Sequence, residues 1–281
     1  MKPEAMPQSF SYSSRIDNWE ICVWRWSCEK ARATVVISHG MAEHARRYDR
    51  FANALTTAGF EVFAMDHRAH GQTSGPNGLG DFGDGGWDAL VDDIDQLVDI
   101  ARQRGTGPVV LFGHSMGATA AQQFAPIGSE KIAALILSGS TLRDPGETIE
   151  PYNTVFEPAR TNYDWLSRDD AEVDKYIDDP MCGFEGQTVR NGMDRSDPRR
   201  VDLDRLRNIR PDLPVLLVAG DADPINRNLA GIDYLEARWK EAGLRQIDRQ
   251  IYEGGRHEML NEINRIEVTR NLIDWIDQQL R

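Results

Sequence analysis

The chain has 281 residues, 40% hydrophobic and 27% charged, a balance that fits a globular protein with one sizeable core. No run approaches the ~18 consecutive apolar residues of a membrane span, and residues 1–15 lack the apolar middle of a secretion signal; a cytoplasmic protein without an integral membrane segment is expected. With 45 acidic against 32 basic residues the net charge is −13, which repels phosphate backbones and argues against nucleic acid as a partner.

In chain order, residues 10–28 read as an antiparallel hairpin at a sheet edge. Five apolar runs of strand length follow, at 34–38, 61–65, 108–112, 133–137 and 214–219, and 247–252 reads as a last strand. Between them the apolar residues recur at helical spacing. Tyr48, Phe51, Ala52 and Leu55 share one face, and Trp87, Leu90, Val91, Ile94, Leu97, Val98 and Ala101 share another. Ile232, Leu235 and Trp239 repeat the pattern, and Ile266, Leu272, Ile273, Ile276 and Leu280 mark a closing helix. This alternation predicts an α/β fold with a mostly parallel central sheet flanked by helices. The stretch 141–209 breaks it, being rich in Asp, Arg and Pro without strand-like runs. It reads as an inserted, mostly helical cap, leaving 1–140 and 210–281 as the core.

The chemistry concentrates where strands end. Pro108-Val-Val-Leu-Phe-Gly-His-Ser-Met-Gly117 joins a strand to a helix through Gly-x-Ser-x-Gly, the sharp turn that presents a nucleophilic serine, here Ser115. A serine hydroxyl needs a base to take its proton. Of the six histidines, His257 follows the last strand on a loop returning to the carboxyl edge of the sheet, the position the chain order Ser, acid, His requires. The acid falls after the preceding strand, in Gly220-Asp-Ala-Asp223; Asp223 is the expected orienter of the imidazole, with Asp221 as the alternative. Oxyanion donors are expected from the Met116 N–H and, because Gly40 lets the chain turn after 35–39, from the Met41 N–H.

Other patterns carry no chemistry by themselves. His67-x-x-His70 and the His39 to His44 stretch have no third ligand at plausible spacing, so no metal is expected. Cys22, Cys28 and Cys182 are odd in number and lack a Cys-x-x-Cys pair, so neither a disulfide framework nor a zinc knuckle is indicated. The Gly- and Asp-rich stretch 71–86 follows no phosphate- or Ca²⁺-binding pattern and reads as a loop. No cofactor is implied.

With these residues in view, the chain resembles the monoacylglycerol lipase and lysophospholipase branch of the α/β-hydrolases, a branch that includes serine aminopeptidase-like proteins. The resemblance spans most of the chain. It rests on His39-Gly-Met-Ala-Glu-His44 with Arg47-Tyr48, on Asp66-His-Arg-Ala-His-Gly71 with Ser74-Gly75, and on Gly113-His-Ser-Met-Gly117, Gly220-Asp-Ala-Asp223 and Gly255-Arg-His257-Glu-Met-Leu-Asn-Glu262. In the cap, Asp164-Trp-Leu-Ser-Arg-Asp169 and 176–184 are similar to bacterial lysophospholipase-like members. The pattern departs at Ala69 and Ala118, where the branch often has glycine. The resemblance implies a serine ester hydrolase acting through an acyl-enzyme on a lipid-like ester such as a monoacylglycerol or lysophospholipid. Thioesterase, peptidase and carbon–carbon hydrolase chemistry use the same triad, and a non-catalytic ligand-binding protein on this scaffold is the alternative outside enzymes. Gly40, His114, Phe156, Trp165 and Met181 are the expected substrate contacts, with Tyr152, Tyr163 and Phe184 completing an apolar tunnel under the cap. Oligomeric state is not legible.

Overall fold

The chain enters through a hairpin of β1 (Gln8–Ser13) and β2 (Glu20–Trp26), whose outer strand is largely exposed. Then come β3 (Ala33–Ser38), β4 (Phe60–Met65), β5 (Val109–His114), β6 (Ala134–Ser138) and β7 (Val215–Gly220), each buried along its whole length, and the edge strand β8 (Ile247–Tyr252). Together they form one eight-stranded sheet in the order β1-β2-β4-β3-β5-β6-β7-β8. β2 pairs antiparallel with β1 and β4, and all other pairings are parallel. The structure, a computed structural model, describes residues 6–75, 78–143, 151–184, 191–194 and 197–281.

Strands buried on both faces require cover on both faces. Successive residues of a strand point to opposite sides, and the sequence uses this. Val35, Ile37, Val110, Phe112 and Ile136 pack beneath α1 (Asp49–Thr57) and, late in the chain, α7 (Arg265–Gln279). Val36, Leu111, Leu135 and Leu217 pack against α2 (Gly86–Arg104), α3 (Met116–Gly128) and α6 (Ala230–Ala242). The expected helix faces all lie inward except at one residue. Ile266 is 83% exposed, because it sits six residues before Leu272 on α7, off the buried stripe, and Val268 is buried in its place.

Between β6 and β7 no strand forms among the described residues. The segment carries short 3₁₀ turns at Tyr152–Phe156 and Pro198–Arg200, the nine-residue helix α4 (Asp170–Asp178) and the single turn α5 (Leu203–Leu206). It is less helical than its composition suggests, although 144–150, 185–190 and 195–196 of the expected cap lie outside the described residues. Leu206 and Ile209 pack into the core with α3 and α6. Among the described residues no helix is long and apolar enough to cross a membrane.

Of the two departures from the resembled pattern, Ala118 is a buried residue of α3. Ala69 is buried with φ +66°, a left-handed conformation that costs a residue with a Cβ about 1–2 kcal/mol.

Candidate active site

Ser115 stands between β5 and α3, capping the helix with φ +52° and ψ −113°. A non-glycine residue held there carries strain that the surroundings must impose. Its N–H donates to the Ser138 carbonyl at 2.9 Å, and its carbonyl accepts the Thr119 N–H at 3.0 Å. The flanking glycines answer to space. A Cβ on Gly113 would come within 2.7 Å of the Gly117 carbonyl oxygen, and one on Gly117 would fall on the carbonyl oxygens of Ser38 and His39.

His257 Nδ1 lies 2.9 Å from Asp223 Oδ2, both side chains being buried. A carboxylate only accepts, so Nδ1 carries the proton and Nε2 is the lone-pair nitrogen. Asp223 also accepts from the Ile225 N–H at 2.9 Å and from Asn226 Nδ2 at 3.2 Å, which fixes its plane. His257 Nε2 is buried without a hydrogen-bond partner among the described residues, and His257 and Ser115 line the same cavity. Burial pulls the His257 pKa down, but the charge and hydrogen bond of Asp223, with Glu258 and Glu43 behind, leave it raised above its ordinary value. Asp221 points its bond elsewhere, accepting the Gly254 N–H at 2.7 Å in the turn after β8.

The imidazole is held from several sides. The His114 and Trp165 rings pack against it with centroids 4.8 and 5.0 Å away. Burial lowers the His114 pKa to about 4, so this neighbour stays neutral. Gly139, with φ +56°, passes so close that a Cβ there would lie 2.9 Å from His257 Cε1 and 3.0 Å from His114 Cε1. The His257 N–H donates to the Trp165 carbonyl at 3.3 Å and the Glu258 N–H to that of Leu166 at 2.8 Å. Fully buried Glu262 closes this loop, accepting the N–H groups of Arg256 and Arg168 at 3.0 and 3.1 Å and Arg168 Nε at 2.8 Å.

Opposite these elements in sequence, the turn after β3 is shaped by Glu43. Its Oε1 accepts the Gly40 N–H in a short hydrogen bond and the Tyr48 hydroxyl at 2.8 Å. Burial works against the charge of Glu43, but the Arg47 guanidinium, helped by the hydrogen bond from the Gly40 N–H, outweighs it and holds the carboxyl well below its usual range. Neither the Met41 nor the Met116 N–H donates to another described residue, and both residues line the cavity beside Ser115. His39 ties the strand ends together: its Nδ1 donates to the Gly40 carbonyl at 2.8 Å, and its Nε2 accepts the His67 N–H at 3.0 Å.

The cavity measures about 510 Å³, within the usual range for small-molecule sites. Of the residues named from the sequence, Gly40, His114, Tyr152, Tyr163, Trp165 and Phe184 line it. Phe156 and Met181 do not. Phe156 lies under the Arg256 guanidinium at 4.2 Å, and Met181 Sδ accepts from Gln72 Nε2 at 3.7 Å, so both are engaged by polar partners outside the cavity wall. Sequence reasoning missed Glu43, Arg47, Glu258 and Glu262 as parts of the site; their only signal was membership of the resembled segments.

The Hydrolase_4 family, described as serine aminopeptidase, S33, matches residues 29–264. The chain is 28% identical over 269 residues to a monoacylglycerol lipase of Mycolicibacterium smegmatis, covering 89% of each chain. It is 27% identical over 305 residues to the monoglyceride lipase of Homo sapiens, covering 99% of this chain and 95% of that one. A thermostable carboxyl esterase from Bacillus coagulans superposes with a TM-score of 0.85 at 25% identity, over 99% of this chain and 100% of that one. A monoglyceride lipase from Saccharomyces cerevisiae, at 19% identity and TM-score 0.79 over 99% of both chains, shares the fold. The chain belongs to the serine aminopeptidase S33 family and has the α/β-hydrolase fold.

Proposed function

We propose that this protein is a serine carboxylic ester hydrolase that cleaves a lipid-like ester, such as a monoacylglycerol or lysophospholipid, through an acyl-enzyme on Ser115. The observation that carries the reading is the Asp223–His257 pair, whose second ring nitrogen is buried and unpartnered beside Ser115 at one cavity. Ser115 Oγ attacks the ester carbonyl while His257 Nε2 takes its proton, and Asp223 stabilises the imidazolium that forms. The developing oxyanion accepts from the Met41 and Met116 N–H groups. His257 returns the proton to the leaving alcohol. Water, deprotonated by the same nitrogen, then cleaves the acyl-enzyme and releases the acid.

The lipid-like substrate class draws support from relatives named as monoacylglycerol and monoglyceride lipases. The division into a core of 1–140 and 210–281 and a cap of 141–209 belongs to the same reading, with Tyr152, Tyr163, Trp165 and Phe184 as its cavity-facing wall. The packing of Leu206 and Ile209 in the core argues for a cap that ends nearer 200. Free Cys22, Cys28 and Cys182 fit a reducing compartment such as the cytoplasm.

Purified protein offered monoacylglycerols, lysophospholipids and simple acyl esters of graded length, alongside the matching thioesters and amides, tests the reading. Ester turnover that disappears in Ser115→Ala is expected. Turnover of the amides or thioesters alone, or of nothing, would overturn it.

A further inference from the structure

Three donor atoms of different chemistry converge where the turn after β3 meets the turn after α4. His44 Nε2, a carboxylate oxygen of Asp179 and Cys182 Sγ all lie within 4.8 Å of one another. Two of the three come from one turn, whose shape is fixed by its own hydrogen bonds. The Met181 N–H donates to Asp179 Oδ1 at 2.9 Å, and the Cys182 N–H donates to the Asp179 carbonyl at 3.0 Å. His44 reaches Asp179 Oδ2 at 2.9 Å from 135 residues away in sequence, which is why no ligand spacing announces the group. The His44 side chain is buried and that of Asp179 is 27% exposed, so the cluster opens to solvent on one side.

We propose that His44 Nε2, Asp179 and Cys182 Sγ form a binding site for a divalent cation of the zinc class, with a solvent water completing a tetrahedron. The donor set selects the metal. Nitrogen, carboxylate and thiolate together suit Zn²⁺ and its spectroscopic substitute Co²⁺, whereas Mg²⁺ and Ca²⁺ want oxygen throughout. Around a tetrahedral ion with metal–ligand lengths of about 2.0–2.3 Å the donors stand roughly 3.3–3.8 Å apart, so the His44–Asp179 pair opens a little from 2.9 Å while the longer separations, up to 4.8 Å, shorten by side-chain rotation.

The surrounding charge is mixed and net negative. Glu43 and Glu258 share the single guanidinium of Arg47, and Asp179 adds a third carboxylate. Burial pushes the Cys182 thiol well up, Arg47 pulls it down, and Glu43, Asp179 and Glu258 add to the upward push. To ligate, Cys182 releases its thiol proton to solvent and His44, which donates from Nε2 to Asp179, shifts that ring proton to Nδ1, so that a thiolate and a lone-pair nitrogen face the ion. The same turn donates the Gly183 N–H to the Ala42 carbonyl at 3.0 Å, so an ion here reinforces the attachment of this turn to the loop that carries Met41.

Metal-stripped full-length protein titrated with Co²⁺, then with Zn²⁺ as competitor, tests the site without reference to ester turnover. The expected result is one equivalent bound, with a near-ultraviolet thiolate-to-cobalt band that Zn²⁺ bleaches. Cys182→Ser should remove the band, and Asp179→Asn and His44→Asn should each weaken binding at least tenfold, in proteins whose circular dichroism matches wild type. Absence of the band, or a band that survives in Cys182→Ser and is lost in Cys22→Ser or Cys28→Ser, would overturn the proposal.

Discussion

The Arg47 guanidinium grips the Glu258 carboxylate through two hydrogen bonds of 2.7 and 2.8 Å and reaches Glu43 with a third of 2.6 Å. Glu258 adjoins His257 and Glu43 holds the Gly40 N–H, so one cation fastens the histidine loop to the turn after β3. Arg47→Met leaves both buried carboxylates without their cation and should cost about 3–5 kcal/mol of stability, read as a lowered denaturation midpoint. Glu43→Gln keeps the shape but loosens the hold on Gly40. It should lower kcat on the order of tenfold with KM little changed, the signature of weakened oxyanion stabilisation.

Ser115 is the residue a fluorophosphonate should modify, identified by mass spectrometry of the labelled peptide. Ser115→Ala should lower kcat on the order of 10⁴-fold or more, while its denaturation midpoint stays at or above wild type because the cavity loses only a hydroxyl. An adduct mapped to another residue would exclude the assignment.

Turnover requires neutral His257, so activity is present above its pKa and lost as pH falls through it. Because Asp223 raises that pKa, kcat/KM should climb with pH through a midpoint above the ordinary ~6.5. Asp223→Asn should move the midpoint downward and cut kcat on the order of 10⁴-fold, since an amide neither stabilises the imidazolium nor fixes its tautomer. Asp221→Asn still accepts from Gly254 and should leave the midpoint in place. Parallel pH–rate profiles of the two variants decide the point.

Acyl-length preference should follow the residues that face the cavity. Tyr152→Ala and Phe184→Ala remove lining surface and should shift the profile of kcat/KM toward longer or bulkier chains. Each methylene newly accommodated contributes up to about 0.8 kcal/mol. Phe156→Ala and Met181→Ala should leave the profile unchanged. The measurement is kcat/KM across a graded ester series for all four proteins.

What was legible in the sequence was what depends on local chain geometry. The strands were recognisable because burial on both faces demands unbroken apolar runs, and their limits fall within two residues of those expected. Ser115 and His257 were legible because a strained turn needs glycine at 113 and 117, and because the loop after β8 has one histidine. The choice between Asp221 and Asp223 was not, since both follow β7 and only the fold of the loop separates an oxygen facing Gly254 from one facing His257. Glu43, Arg47 and Glu258 stayed hidden for a different reason. Arg47 and Glu258 are 211 residues apart, and a paired buried carboxylate is spelled like a solvated one. The aromatics of 152–184 gave no period, so cavity-facing Tyr152 and outward Phe156 could not be told apart.

The two backbone hydrogen bonds from the His257 and Glu258 N–H groups to the carbonyls of Trp165 and Leu166 make the wall over the cavity and the mounting of the imidazole a single piece. Exchanging this wall for that of a relative would therefore transplant more than a substrate preference. A graft that altered the path of the chain at 165–166 would re-aim the imidazole, and turnover number would change along with selectivity. Residues 163–168 are best carried over intact in any redesign, with variation confined to side chains such as Tyr152 and Phe184 that reach the cavity without bonding the histidine loop.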